Sequence, residues 1–153
     1  MNKKLLSLTL PIIFFLSSWT VLNTVKSTKA EETYMTKQMI ELINDHRASI
    51  GLPELERCKF ADKLAEEHTN TMINQSNVNN DGYETRWEAL ETEKNTEDIS
   101  ENIGSDISLE NILQACESQI WLKINVEGDY THTGISIKRD ENGKYYYTQL
   151  FYK

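Results

Sequence analysis

Apolar positions recur with a helical period in three places and with a strand period in one. Met35, Met39, Leu42 and Ile43 fall at i, i+4, i+7 and i+8, the stripe of an amphipathic helix predicted over 36–49. Gly51 then suits a left-handed cap, and Pro53 bars continuation. A second helix is predicted over 59–74, with Phe60, Leu64, His68 and Met72 four apart and Ala61 and Ala65 beside them. A third starts at Ser108, a good N-cap, and reaches 121 with Leu109, Ile112, Leu113, Cys116 and Ile120 on its stripe. Leu64 and Ile112, on two of these stripes, are expected to be buried. Between 74 and 104 the pattern fades. Asn74, Asn77, Asn79, Asn80, Asp81 and Gly82 form a strong turn signal, and a short helical stretch fits 85–90. The acids Glu91, Glu93, Glu97, Asp98 and Glu101 read as solvated loop. In the last quarter Thr133, Ile135 and Ile137 alternate with Gly134, Ser136 and Lys138, a period of two. Asp140-Glu141-Asn142-Gly143 then makes a hairpin turn into a returning strand over 145–151. Helices first and an antiparallel hairpin last describe an α+β domain.

The first thirty residues have another character. Lys3 and Lys4 precede an apolar run over 5–22, and Thr28-Lys29-Ala30 offers small residues where a signal peptidase reads. Residues 1–30 are therefore expected to be a signal peptide and 31–153 the domain. An uncleaved membrane anchor is the alternative, weakened by Pro11 and five Ser/Thr inside the run. Charge sharpens the division. The whole chain carries −8, but the four lysines of the first thirty residues face no acid, which leaves 12 basic against 24 acidic groups, formally −12. Such a domain has no electrostatic footprint for a phosphate backbone, so nucleic acid is excluded as a partner. Contact with a membrane is expected only through an uncleaved signal segment. Export makes a Cys58–Cys116 disulfide plausible, worth about 4 kcal/mol on the chain-entropy argument; two small buried thiols are the alternative.

No G-x-S-x-G, P-loop, dinucleotide glycine fingerprint or H-E-x-x-H is present. None of His46, His68 and His132 has a second histidine at helical metal-ligand spacing. Five segments in order nonetheless resemble one family. They are Ile43-Asn44-Asp45-His46-Arg47 followed by Gly51-Leu52-Pro53 and Leu55; residues 65–72 around His68; Glu101-Asn102-Ile103; Tyr130-Thr131-His132-Thr133-Gly134-Ile135; and Tyr147-Thr148-Gln149-Leu150-Phe151. Together they are similar to a bacterial CAP domain, the SCP-like superfamily of cysteine-rich secretory proteins, antigen 5 and pathogenesis-related proteins. The resemblance covers residues 36–153. It implies a three-layer α-β-α sandwich whose cleft, in many members, carries two histidines and two acids able to hold a divalent metal such as zinc.

Transferred position by position, the family pattern places Asn80 at the first cleft histidine and Trp121 at the second. Glu101 keeps the acid of the E-N signature, and Glu88 or Glu91 is the other acid. An indole ligates no metal and a neutral amide is a poor zinc ligand. The expectation is a degenerate cleft around Glu101, Asn80, Trp121 and His68, with no cofactor and no metal. Glu101 is expected either as the cleft acid or, preferentially, as a structural residue capping loop N–H groups. His68 on its apolar stripe is expected to be a hydrogen-bonded core residue, His132 structural or surface, His46 plain surface, and Gln149 bonded to backbone. Trp121 with Tyr130 either floors a cleft for an apolar ligand or sugar, or completes the core. The functional expectation is a secreted, non-enzymatic module for an extracellular lipid, glycan or protein. The alternatives are a metal-assisted hydrolase using Glu101 with relocated histidines, and an acidic surface for a basic partner.

Overall fold

The structure is a computed structural model. It describes the backbone of residues 13–106 and 108–153 and, from residue 29 on, the side chains except those of Ile107, Leu109, Leu113, Glu117 and Trp121. The chain forms two compact units, Met1–Glu31 and Glu32–Lys153. Lys3, Lys4 and the start of the apolar run lie outside the described residues. Among the described residues no helix is long and apolar enough to cross a membrane.

The elements are α1 (Ile13–Ser49), β1 (Glu56–Arg57), α2 (Lys59–Gln75), α3 (Tyr83–Lys94), β2 (Ile99–Asp106), α4 (Leu109–Ser118), α5 (Ile120–Val126), β3 (His132–Arg139) and β4 (Tyr145–Tyr152). α1 begins well before the expected residue 36, because no Gly or Pro interrupts 13–49. It ends as expected: Gly51 has φ +80°, and the Leu52 N–H returns to the Arg47 carbonyl at 2.9 Å. The sheet order is β1-β3-β4-β2. β1 runs parallel to β3, whereas β4 pairs antiparallel with β3 (Ile135↔Gln149) and with β2 (Glu101↔Leu150).

Both faces of the sheet are covered. On one, Met35, Met39 and Ile43 of α1, Ile112 and Cys116 of α4 and Val126 of α5 pack on Ile135, Ile137, Tyr147 and Phe151. On the other, Ala61 and Ala65 of α2 and Leu90 of α3 pack on Ile99, Leu150 and Tyr152. This is the expected α-β-α sandwich. Each fully buried Ile or Phe stabilises it by roughly 1.5–3 kcal/mol.

Burial of β3 extends to both of its faces. Gly134 and Ser136 are buried, because α2 lies on them. A Cβ at Gly134 would collide with the backbone carbon and Cβ of Ala61, so helix and strand approach at two of the smallest residues. The expected third helix is two. Ser108 caps α4 through its Oγ, which accepts from the Asn111 N–H, but Gln119 is extended (φ −82°, ψ 118°). The Gln119 carbonyl then accepts from the N–H groups of Leu122 and Lys123 and starts α5. The turn of direction takes Ile120 off the stripe and leaves it 62% exposed. Ile112 is buried as expected, Leu42 is exposed, and Leu64 is only half-buried at the edge of the second cluster.

The segment expected to be loop after residue 90 contains the end of α3 and the start of β2. Cys58 and Cys116 are thiols, not a disulfide: Cys58 packs beside the α2 cluster and Cys116 in the α1–α4 cluster, with the sheet between them. Arg47 is fully buried near the end of α1. It donates to the carbonyls of Pro53 (2.9 Å), Val126 (2.7 Å), Gly128 (2.8 Å) and Tyr130 (3.0 Å), tying α1 to the loop between α5 and β3. Burial lowers its pKa, with the Asp129 charge opposing.

Candidate functional site

The turn between α2 and α3 carries the chemistry. Ser76, at φ +51°, ends α2, and the Asn79 Oδ1 accepts from the Asp81 N–H at 2.9 Å, an Asx turn. This geometry presents the Asn79 carbonyl to His68, whose Nε2 lies 2.8 Å away. A carbonyl only accepts, so Nε2 carries the proton and Nδ1 of the neutral ring is an acceptor. His68 is 2% exposed. Burial and then the Arg86 charge push its pKa down, against opposing contributions from Glu101, the Asn79 bond and Asp81.

Arg86 of α3 faces Glu101 of β2 in a two-pronged pair. Its Nε reaches Oε2 and its Nη2 reaches Oε1, both at 2.7 Å, while Nη1 donates to the Asp81 carbonyl at 2.7 Å. Side-chain exposures of 9% and 3% make this a buried ion pair. Between α2 and α3 lies an open groove of about 360 Å³, with Leu64, Glu67 and His68 on the α2 side and Arg86 and Ala89 on the α3 side.

The structure brings His68 and Glu101 around Arg86, but not the other expected cleft residues. Asn80 is exposed in the turn, and its carbonyl accepts from the Tyr83 N–H at 3.0 Å. The backbone of Trp121 belongs to α5, which packs on the opposite face of the sheet; its side chain lies outside the described residues. Glu88 and Glu91 are both exposed on α3. Glu101 therefore engages a guanidinium rather than loop N–H groups. Among the described residues no three His, Cys, Asp or Glu side chains come together to hold a metal ion. A metal does not fit at Glu101: the carboxylate is paired with Arg86, and no two further His, Cys, Asp or Glu donors stand with it among the described residues.

Two further polar residues depart from expectation, and a third, His132, has the structural role expected of it. His46 is not plain surface: its Nε2 meets Glu127 Oε1 at 2.8 Å in a partly buried contact. Gln149 bonds a side chain, its Nε2 donating to Thr133 Oγ1 at 3.1 Å; its buried Oε1 has no protein partner among the described residues. His132 stacks on Tyr152 at 4.8 Å and 12°. Arg86 and Arg47 are the buried polar residues whose roles sequence reasoning missed. The available signal for Arg86 is that it is the only Lys or Arg between Lys63 and Lys94.

A mixed four-stranded sheet between two helical layers defines an α-β-α secretory-protein-like fold. The chain belongs to the CAP, or cysteine-rich secretory protein, family, whose profile matches residues 40–151. No curated protein matches the sequence. Solved structures share the fold. An outer surface protein from Borrelia burgdorferi aligns at TM-score 0.71 and 18% identity over 78% of this chain and 92% of its own. An extracellular protein with an SCP domain from Bacillus anthracis aligns at TM-score 0.72 and 20% identity, over 84% of this chain and 43% of its own. A cysteine-rich secretory protein from Staphylococcus aureus aligns at TM-score 0.65 and 14% identity, over 79% and 38%. The chain thus spans less than half the length of the last two.

Proposed function

We propose that this CAP domain is an exported binding module without metal-dependent catalysis, its cleft degenerate at the histidine positions occupied by Asn80 and Trp121. The observation that carries the reading is the state of Glu101. A general base or metal ligand needs an oxygen with an open lone pair facing the ligand. Here the carboxylate is 3% exposed and both its oxygens are held at 2.7 Å by the Arg86 guanidinium, so it faces a protein cation rather than an open cleft. His68 likewise spends Nε2 on a backbone carbonyl. Export is supported by the lysines, the apolar run and Thr28-Lys29-Ala30, and by the outer-surface, secretory and extracellular descriptions of the three structural neighbours. Mass spectrometry of the natural product is expected to find a chain starting within a few residues of Glu31; an intact Met1 in the membrane fraction refutes export.

The catalytic question is tested by titrating the chelated, untagged protein with zinc in a calorimeter. No tight binding is expected, whereas Asn80→His combined with Trp121→His should create affinity if the position transfer is right. Stoichiometric micromolar binding by the natural chain, abolished by Glu101→Ala, overturns the reading and promotes the hydrolase alternative.

A further inference from the structure

We propose that the outer edge of β2, at Ile103 and Ser105, docks an extended, basic segment of a partner protein, which joins the sheet as an added strand. The proposal concerns a surface apart from the groove of His68 and Arg86 and is independent of zinc binding. It follows first from the direction of the backbone groups. The Thr133 carbonyl accepts from the Cys58 N–H, so the odd residues of β3 face β1 and the even ones face β4. The registers Gly134↔Leu150 and Asn102↔Gln149 carry this alternation across the sheet without a bulge. The even residues of β2 therefore bond β4, and the N–H and C=O groups of Ile99, Glu101, Ile103 and Ser105 point outward. The Glu101 carbonyl fits this direction, since it accepts from Asn125 Nδ2 of α5 at 3.3 Å.

The opposite edge of the sheet is occupied. β1 pairs with the start of β3, the Ile135 N–H goes to Asp62 Oδ1 at 2.9 Å, and the Arg139 N–H goes to Glu32 Oε1 at 3.4 Å. Along β2, the Asn125 contact ends at Glu101. The outward backbone groups of Ile103 and Ser105 have no partner among the described residues, and both residues are only half-buried. Ile103-Gly104-Ser105 carries none of the lysine, proline or bulge with which edge strands keep other strands away. Such a row of alternating donors and acceptors fits an extended backbone, whatever its side chains. Charge selects the occupant. From Asn95 to Leu122 the chain has the acids Glu97, Asp98, Glu101, Asp106, Glu110 and Glu117 and no Lys or Arg. Arg86 matches Glu101, whereas Glu97, Asp98 and Glu110 are exposed. A second copy of the chain brings the same −12 beyond residue 30 and is repelled, while a strand bearing lysine or arginine is drawn in.

The test follows backbone amides of the untagged protein by NMR during titration with three peptides. They are acetyl-Lys-Val-Lys-Val-Lys-amide, its counterpart with glutamate for lysine, and the basic peptide methylated on every backbone nitrogen. Saturable shifts centred on β2, with slowed hydrogen exchange at the Ile103 and Ser105 amides, are expected with the first peptide alone. Ser105→Pro removes an outward N–H and leaves the β4 ladder its donors, so it should weaken binding roughly tenfold. If that variant does not fold, the methylated peptide puts the same question to the natural chain, because it keeps the charge and loses the donors. Equal binding of the methylated peptide means attraction by charge alone and overturns the proposal. Equal binding of the acidic peptide, an unaffected Ser105→Pro variant, or no saturable binding of the basic peptide overturns it as well. Protection of the Ile103 and Ser105 amides that needs no peptide and grows with protein concentration identifies a second copy as the occupant, and it too refutes the assignment.

Discussion

Breaking the Arg86–Glu101 pair from one side should cost much more than removing both partners. Glu101→Leu deletes two charge-assisted bonds of 2.7 Å and leaves a guanidinium, 9% exposed, with the Asp81 carbonyl as its remaining partner. A buried charge stripped of its counter-charge costs about 3–5 kcal/mol. Set against a total stability of roughly 5–15 kcal/mol, that is a large share. Arg86→Met strands a carboxylate that is 3% exposed and should cost a similar amount at neutral pH. The two variants then diverge on acidification. A stranded carboxylate escapes by taking a proton, which a stranded guanidinium cannot lose, so Arg86→Met should recover stability relative to the natural chain as the pH falls, and Glu101→Leu should not. Combining the two removes both desolvation penalties and should cost less than either alone, apart from the lost Asp81 tether, worth about 1 kcal/mol. Urea unfolding with a shared m-value measures all four corners of the cycle. Single losses under about 1 kcal/mol that simply add would show that the pair behaves as a solvated surface bridge, and the argument for a Glu101 committed to Arg86 would fall with it.

Gly134→Ala should destabilise by about 2–3 kcal/mol in thermal unfolding, because the new methyl meets the Ala61 backbone rather than a movable side-chain end. Arg47→Met should cost about 3 kcal/mol by taking the donor from the carbonyls of Pro53, Val126 and Tyr130, while that of Gly128 keeps the Tyr130 N–H, and Arg47→Lys should restore only part of the loss. His68, with its pKa lowered by folding, binds fewer protons in the native than in the unfolded state. Its contribution is therefore present above its unfolded value of about 6.5 and lost as the pH falls below it. His68→Gln, which can still donate to the Asn79 carbonyl, should flatten that slope in urea midpoints between neutral and mildly acidic pH; an unchanged slope refutes the assignment.

The elements legible in sequence are those whose pattern matches what packs on them. α2 has one apolar stripe against one sheet face and ends within a residue of expectation. The β3–β4 hairpin is marked by its turn, where Asp140 Oδ1 accepts from the N–H groups of Asn142 and Lys144 at 2.9 Å. β2 was illegible because its polar residues are spent inside the protein. Glu101 meets Arg86, while Asn102 donates to the Leu122 carbonyl and accepts from Asn125, so a buried strand reads like a loop. The break at Gln119 carries no Gly or Pro and is set by the new helix that its carbonyl starts. At the site, His68 was found through its stripe and Glu101 through its motif. Their relation was hidden because it depends on Arg86, fifteen residues from its partner and on a helix with hardly any apolar periodicity.

The position of β4 governs when the sheet can exist at all. β4 lies between β3 and β2, so every hydrogen-bonded pairing of β2 in the sheet is to residues 145–152. A chain that has delivered residues only as far as 144 holds a β2 with no ladder partner, and a β3 paired solely with the two residues of β1. Such a chain cannot close its core early, and its apolar stripes stay uncovered until the final strand slots between strands already waiting. Pairings this distant in sequence are slow to form, on the scale of roughly milliseconds to seconds. Until β4 arrives, β2 and β3 stay open to pairing with other chains.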